Sequence, residues 1–335
     1  MESQRKILVV TGATGNHGKA VLNYFNHTMS SHRYELRGIT RNTDSETSKE
    51  LSASGIEMVQ ADLGDLSSLV TAFAGATHIF ATTDSNQLIF NAIENPSILS
   101  NGQTAASYAR EHELSQGQNI ADAASSIAGT LRRIVWSSLP SPEKISNGKY
   151  SKVSMFDAKD DIAKLLASKD ALKEKLSVLL VGFYATNALN MPALYAPSKV
   201  SDGTYELAIP MSGDTEVPIA DLEADMGPWV VTLFEANPGT VLVGATENLT
   251  WPQWLEKWAR HNGVVARYRR AEDEEYGKTL EGLSEVILEE FAFIEEYGFA
   301  GSGAVYPDEL RRRGVALPKS SVDDHISRCD WSSIL

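Results

Sequence analysis

Cysteine is nearly absent: Cys329 is the single one in 335 residues. No disulfide framework can therefore hold the chain, and a lone thiol suits a reducing compartment. No run of eighteen apolar residues and no charged-then-apolar leader occurs, so neither a membrane span nor a signal peptide is expected. Without a leader, Asn26-His27-Thr28 and Asn248-Leu249-Thr250 match the glycosylation pattern only by chance. The sequence has no HExxH, no paired cysteines and no histidines at ligand spacing, so no metal is expected. It also lacks the G-x-S-x-G elbow of hydrolases. Positive charge is scarce, with 30 Lys and Arg against 44 Asp and Glu and a net charge of −14. That balance leaves no basic face for nucleic acid. Neither internal repeats nor low-complexity stretches appear. A soluble, cytoplasmic globular protein is expected, long enough for one large domain or two modest ones.

What is present centres on Lys6-Ile7-Leu8-Val9-Val10-Thr11, an apolar run that reads as a strand buried on both faces. It runs into Gly12-Ala13-Thr14-Gly15-Asn16-His17-Gly18, three glycines at three-residue spacing, followed by a helix pattern with Val21, Leu22 and Phe25 on one side. A strand, a glycine turn and a helix N-terminus form an anion site, because the first amides point outward and the helix dipole adds positive charge. The spacing is G-x-x-G-x-x-G rather than the usual G-x-G-x-x-G. An ordinary tight βα turn also fits a glycine triplet; its place between a clear strand and a clear helix favours a dinucleotide.

Tyr34 to Arg41 reads as the second strand, and its end decides the cofactor. An acid about 20 positions beyond the glycines would bond the ribose hydroxyls, whereas an arginine accommodates a 2′-phosphate. Here the strand ends Thr40-Arg41-Asn42, with no acid before Asp44. The fork of donors on Arg41 suits a phosphate, and NADP(H) is expected over NAD(H). Strand three, Gly55 to Gln60, leads to Asp62-Leu63, and Asp65 caps a helix over 66–73. Strand four, Thr77 to Ala81, is followed by Thr82-Thr83, where small residues let a cofactor approach; His78 packs within the strand. Residues 86–100 read as a loop or broken helix. A long helix follows over about 104–128, with Gln116-Gly117-Gln118-Asn119 on a cofactor-facing turn. Strand five runs Arg133 to Ser138 and strand six Ser177 to Val181. Five consecutive βα units predict a doubly wound parallel sheet, the Rossmann architecture.

The segments Thr11 to Gly18, Thr40-Arg41-Asn42, Ala61-Asp62-Leu63-Gly64-Asp65 and Phe156-Asp157-Ala158-Lys159 together resemble the NmrA-like group of atypical short-chain dehydrogenase/reductases, with isoflavone-reductase-like relatives. The resemblance extends through Val181 to Asn187 and into Gly203-Thr204-Tyr205. It implies that Gly12, Thr14, Gly15, Asn16, His17 and Gly18 hold the pyrophosphate of NADP(H) and that Arg41 holds the 2′-phosphate. It also implies that Asp62 and Leu63 border the adenine, Thr82 and Thr83 follow the cofactor, and Lys159 sits by the nicotinamide ribose.

Ordinary short-chain reductases carry Tyr-x-x-x-Lys, whose spacing puts both side chains on one helix face so that the lysine lowers the phenol pKa. Four residues before Lys159 stands Met155, so the usual acid is missing, and Tyr150-Ser151-Lys152 has the wrong spacing. A reduced ketone leaves an alkoxide needing a proton; a reduced iminium leaves a neutral amine. The site therefore suits a C=N or conjugated electrophile, unless Tyr184 or Tyr195 supplies the proton. After strand six come Phe183, Tyr184, Asn187, Met191 and Tyr195, an apolar and aromatic set that suits a bulky ligand. Catalytic candidates are Lys159 and Tyr184; pocket candidates are Phe183, Asn187, Met191 and Tyr195.

Further on, a helix over about 222–235 is interrupted at Gly227-Pro228 and ended by Asn237-Pro238-Gly239. Trp254 and Trp258 share a helix face that reads as core. Residues 272–297 form an acidic helix with Leu283, Ile287 and Phe291 along one side. Residues 1–187 are read as the NADP-binding domain. Residues 188–335 are read as a smaller mixed α/β substrate lobe, with about 215–240 returning to the first domain. The function expected is an NADP(H)-dependent oxidoreductase acting on a bulky apolar, specialised-metabolite-like small molecule. The alternative is a non-catalytic NADP-sensing regulator that binds a protein partner.

Overall fold

The computed structural model describes residues 6–28, 34–278 and 284–335. The first elements in chain order are β1 (Lys6–Val10), α1 (Asn16–His27), β2 (Tyr34–Thr40), α2 (Glu46–Ala53), β3 (Glu57–Gln60), α3 (Leu66–Phe73) and β4 (His78–Ala81). Then come α4 (Ser85–Glu94), α5 (Ala105–Ser126), β5 (Arg133–Ser138), α6 (Pro142–Ile145), α7 (Ser154–Ser168) and β6 (Leu176–Val181). The rest comprises β7 (Phe183–Tyr184), α8 (Asn187–Asn190), α9 (Pro192–Tyr195), β8 (Ser198–Lys199), β9 (Tyr205–Ile209), β10 (Glu216–Ala220) and α10 (Leu222–Glu235). After these run β11 (Val241–Gly244), β12 (Glu247–Thr250), α11 (Trp251–Asn262), β13 (Ala266–Arg270), α12 (Asp273–Gly277), α13 (Ser284–Tyr297), α14 (Pro307–Arg312) and α15 (Val322–Arg328).

Seven strands form one sheet in the order β11-β6-β5-β4-β1-β2-β3. From β1 to β6 every neighbouring pair is parallel. This is the expected doubly wound α/β fold, and the order reverses between β1 and β4. Loops leaving the carboxyl ends of those two strands diverge there, which opens a crevice for ligands. Parallel strands need apolar side chains on both faces, which is why Leu8, Val9, Val10, Ile79 and Phe80 are all fully buried. Two three-stranded sheets, β12-β10-β7 and β13-β9-β8, complete the strands.

Contacts divide the chain into two units. The first holds residues 1–141, 154–180 and 226–242, and the second 142–153, 181–225 and 243–335.

Local signals account for many boundaries. Asp65 caps α3 by accepting from the Ser67 amide at 2.9 Å. Thr104 and Ser107 form a reciprocal capping box at the start of α5. Residues 86–100 are mostly α4, stopped before Pro96, which begins a single 3₁₀ turn. His78 packs edge-on between the rings of Tyr34 and Phe234, at 5.2 and 4.9 Å.

Two expectations give way to tertiary packing. The helix over 222–235 is not interrupted: α10 runs through Pro228. Its Met226, Trp229, Val230 and Leu233 are buried, and that apolar burial offsets the one hydrogen bond a proline forfeits. Gly227 is required because a Cβ there would lie 2.1 Å from the Tyr24 ring. The acidic stretch 272–297 forms two helices, α12 and α13, rather than one; Leu283 lies outside the described residues.

Candidate functional site

In the first unit, the turn after β1 bends at Gly12, whose φ of +59° lies in the left-handed region that favours glycine. A Cβ on Gly18 would stand 2.3 Å from the Gly12 carbonyl oxygen, so the helix can start this close to the turn only without a side chain. Gly15 is the N-cap residue of α1, no side chain caps the helix, and no acid lies in its first turn. The positive helix end is thus open, and Gly12, Gly15 and Asn16 are exposed. Thr14 is half-buried.

Thr11 ties this turn to the end of β4. Its hydroxyl donates to the Thr82 carbonyl at 2.9 Å and accepts from the Thr82 amide at 2.8 Å. The glycine turn and Thr82-Thr83 therefore flank the crevice at the switch point. His17 Nδ1 lies 3.0 Å from Ser137 Oγ at the end of β5. Burial, and then the charge of Lys159, press the imidazole down to about 3, so it is neutral at ordinary pH.

Arg41 stands exposed just past β2, with Nη2 donating to Gln87 Oε1 at 2.6 Å. Asp62 turns its carboxylate onto the Gly64 amide at 2.7 Å, and the Leu63 carbonyl accepts from Asn119 Nδ2 at 2.8 Å. Gly117 and Gln118, expected on the cofactor-facing turn, turn to other partners. Gly117 packs on α7, where a Cβ would meet Ile162 at 2.4 Å, and Gln118 donates to Asp122.

Lys159 is held by α7, which is fixed to the sheet where Trp136 Nε1 donates to the Lys159 carbonyl at 3.0 Å. Its ammonium donates to Glu113 Oε1 at 2.7 Å, to Thr83 Oγ1 at 2.8 Å and to the Thr83 carbonyl at 2.9 Å. Glu113 is fully buried and also accepts from the Thr83 and Ser85 hydroxyls, at 2.5 and 2.6 Å. A buried carboxylate survives only when its lone pairs are met, and here all three neighbours meet them. Sequence reading missed Glu113. Its signal was a charge at the position where Ala109, Gly117, Ile120 and Ala121 mark the buried stripe of α5. Asp157, two residues before Lys159 on α7, is also buried and accepts from Ser141 Oγ at 2.5 Å.

In the second unit, Phe183 and Tyr184 form β7, in register with Ile219 and Ala220 of β10. Tyr184, Asn187 and Tyr195 line a small cavity with Trp251 and Trp254. Phe183 lies against this group, its ring 6.1 Å from that of Tyr195 and 5.7 Å from that of Trp251. Met191 is exposed, at 41%. Tyr150 is committed elsewhere, donating to Glu296 at 2.7 Å. Burial pushes the Tyr195 phenol well up, with the Glu290 charge adding to it. Glu290, on α13, is pushed up to about 8 by burial.

Among the described residues no helix is long and apolar enough to cross a membrane, and no group of three or more His, Cys, Asp or Glu is placed to hold a metal.

The strand order 3-2-1-4-5-6 with a glycine turn at its switch point defines a Rossmann-type α/β protein. The chain belongs to the NmrA-like family, whose model matches residues 4–315. It is 26% identical to the NmrA-like family domain-containing oxidoreductase notA of Aspergillus sp. (strain MF297-2), over 91% of this chain and 88% of that one. It is 27% identical to the similarly described FrzB of Cladobotryum sp, over 96% and 95%. Among solved structures, NmrA, a negative transcriptional regulator in complex with NADP, shares the fold at TM-score 0.70 and 21% identity, over 97% and 95%. An NADPH-dependent quinone oxidoreductase from Escherichia coli, complexed with NADPH, does so at 0.67 and 20%, over 96% and 99%.

Proposed function

We propose that the chain is an NADP(H)-dependent oxidoreductase whose first unit binds the cofactor and whose second unit receives a bulky, largely apolar small molecule. The observation that carries this reading is the switch-point crevice. An uncapped helix end, a turn with glycine at positions 12, 15 and 18, and Lys159 tied to the Thr83 loop all meet there. The glycine turn fits a diphosphate, since among the described residues no side chain caps α1 and no acid lies in its first turn. Gly12, Thr14, Gly15, Asn16, His17 and Gly18 would hold it, Arg41 the 2′-phosphate, and Asp62 and Leu63 the adenine edge. When bound, the nicotinamide supplies hydride chemistry.

On the protein side, Lys159 holds one fixed ammonium beside Thr83, and neutral His17 adds no second charge. The missing tyrosine acid favours a C=N or conjugated electrophile over a plain ketone, unless Tyr184 or Tyr195 supplies the proton. The names of relatives such as notA and FrzB support an oxidoreductase. The fold likeness to the regulator NmrA supports the second reading, an NADP sensor without turnover.

The deciding experiment titrates purified protein with NADPH and NADH by calorimetry. Candidate cyclic imines are then added, and loss of reduced-nicotinamide absorbance is followed. Saturable NADPH binding with imine-dependent oxidation is expected. Binding without turnover of any electrophile would leave the sensor reading, and binding of neither dinucleotide would end both.

A further inference from the structure

Acids outnumber bases in this chain, 44 to 30, and many of its arginines are claimed by them. Arg37, Arg110, Arg260, Arg267, Arg269 and Arg328 each hold an Asp or Glu. Arg41 is held differently. Among the described residues its guanidinium enters no ion pair, and Nη2 donates instead to the amide oxygen of Gln87 at 2.6 Å. Its backbone is held in the same way, the Arg41 carbonyl accepting from Gln60 Nε2 at 3.1 Å. Two neutral amides thus fix the residue at both ends and leave its charge uncancelled.

The place of that bond matters. In the sheet β1 lies between β4 and β2, so the loops leaving those two strands stand about 10 Å apart, on either side of the glycine turn. Arg41 follows β2, and Gln87 lies in the first turn of α4, after β4. Their hydrogen bond therefore spans the carboxyl end of β1, at the switch-point crevice. Gln87 is itself anchored, its amide donating to the capping Asp84 Oδ1 at 3.1 Å. Just before it, Thr83 and Ser85 are both bonded to the buried Glu113. The acceptor that meets Arg41 sits on a tethered segment.

An exposed arginine samples many rotamers, and a phosphate that captures it loses affinity to the cost of stopping it. An acceptor within the protein removes part of that cost beforehand. A carboxylate in that role would cancel the charge and compete with the phosphate for the same fork of donors. A neutral amide occupies one N–H and leaves the other donors with the full positive charge. Between two exposed side chains such a bond adds little to stability, so its worth lies in aim.

We infer that Gln87 is a positioning residue for Arg41 and sets the preference for a 2′-phosphorylated dinucleotide over its unphosphorylated counterpart. The inference rests on the reading of Arg41 as the 2′-phosphate partner and adds a second specificity-determining position, on α4. Because Gln87 acts through Arg41, it affects only ligands that carry the extra phosphate.

The test uses the wild type, Arg41→Ala, Gln87→Ala, Gln87→Glu and the double variant of Arg41→Ala with Gln87→Ala. Each is titrated by calorimetry with NADPH and NADH, and with adenosine 2′,5′-bisphosphate and AMP, a pair that differs only in the 2′-phosphate and carries no nicotinamide. The NADPH-to-NADH affinity ratio should fall about threefold to tenfold in Q87A and by about tenfold or more in Q87E. The fragment pair should follow the same order. Once Arg41 is alanine, Gln87→Ala should change nothing further, since its effect passes through the guanidinium. Melting temperatures should match the wild type in both Gln87 variants. Ratios untouched by Q87A and Q87E, or a Gln87→Ala effect that persists without Arg41, would overturn the inference. So would a fall in ratio that comes with lost NADH affinity and a lowered melting temperature, the mark of general damage. A ratio lowered by Arg41→Ala alone sinks only this inference. A ratio unchanged in Arg41→Ala removes Arg41 from the 2′-phosphate, and this inference with it.

Discussion

Lys159 and Glu113, 46 positions apart on α7 and α5, meet as an ion pair of 2.7 Å in which the carboxylate is fully buried. The pair neutralises the Lys159 ammonium and spends all three of its protons within the protein, on Glu113 and Thr83. Lys159 is thus a fixed charge, aimed by Glu113 and anchoring the loop after β4.

Breaking that pair from one side should cost more than removing it whole. Glu113→Ala strands a poorly solvated ammonium and should destabilise by about 3–5 kcal/mol, whereas the double variant Glu113→Gln, Lys159→Met should recover much of the loss. Urea denaturation of the three proteins measures it. Additive effects would mean that the two side chains do not depend on one another.

Among the described residues the Arg41 guanidinium bonds the neutral Gln87 and no acid, so a phosphate would not compete with a carboxylate for it. Arg41→Ala should weaken NADPH by about 1.5–3 kcal/mol, the worth of a charged hydrogen bond, and leave NADH unchanged. Calorimetric titration with both dinucleotides reads this directly, and an unaltered NADPH-to-NADH ratio would remove Arg41 from the cofactor site.

Gly18 has no room for a methyl group, because a Cβ would press on the Gly12 carbonyl at 2.3 Å and both atoms belong to backbone. Gly18→Ala should displace the start of α1, cost roughly 1–3 kcal/mol of stability and abolish NADPH binding. Retained cofactor affinity in a folded G18A protein would show that the turn is not the diphosphate site.

Glu290 carries a pH signature. Burial pushes its carboxyl up to about 8 in the folded protein, above the ordinary 4.5, so between those limits the folded protein holds a proton that the unfolded chain releases. Stability from this group therefore falls as pH rises from about 4.5 to about 8, and E290Q should flatten that decline and raise the melting temperature at pH 8. Thermal unfolding of both proteins across this range is the measurement. Parallel curves would show that the Glu290 carboxyl is solvated after all.

Much of the fold was legible because it is local. The apolar run at Lys6–Val10, the glycines that stop it and the Asp65 cap each act over a few residues, where hydrogen-bonding geometry and steric exclusion decide the outcome. Pro228 marks where local rules yield. Read along the chain it ends a helix, yet burial of Trp229 and Leu233 carries α10 through it.

The amino-acid order by itself determined the strand–turn–helix opening, the parallel architecture that repeated βα units must adopt, and the absence of tyrosine four residues before Lys159. Tertiary structure alone decided which distant groups became neighbours. It set Glu113 beneath Lys159, and Trp251 beside Tyr195. The reason is that burial fixes the cost of every charge and every unmet hydrogen bond, and burial is a property of the packed chain rather than of any short stretch.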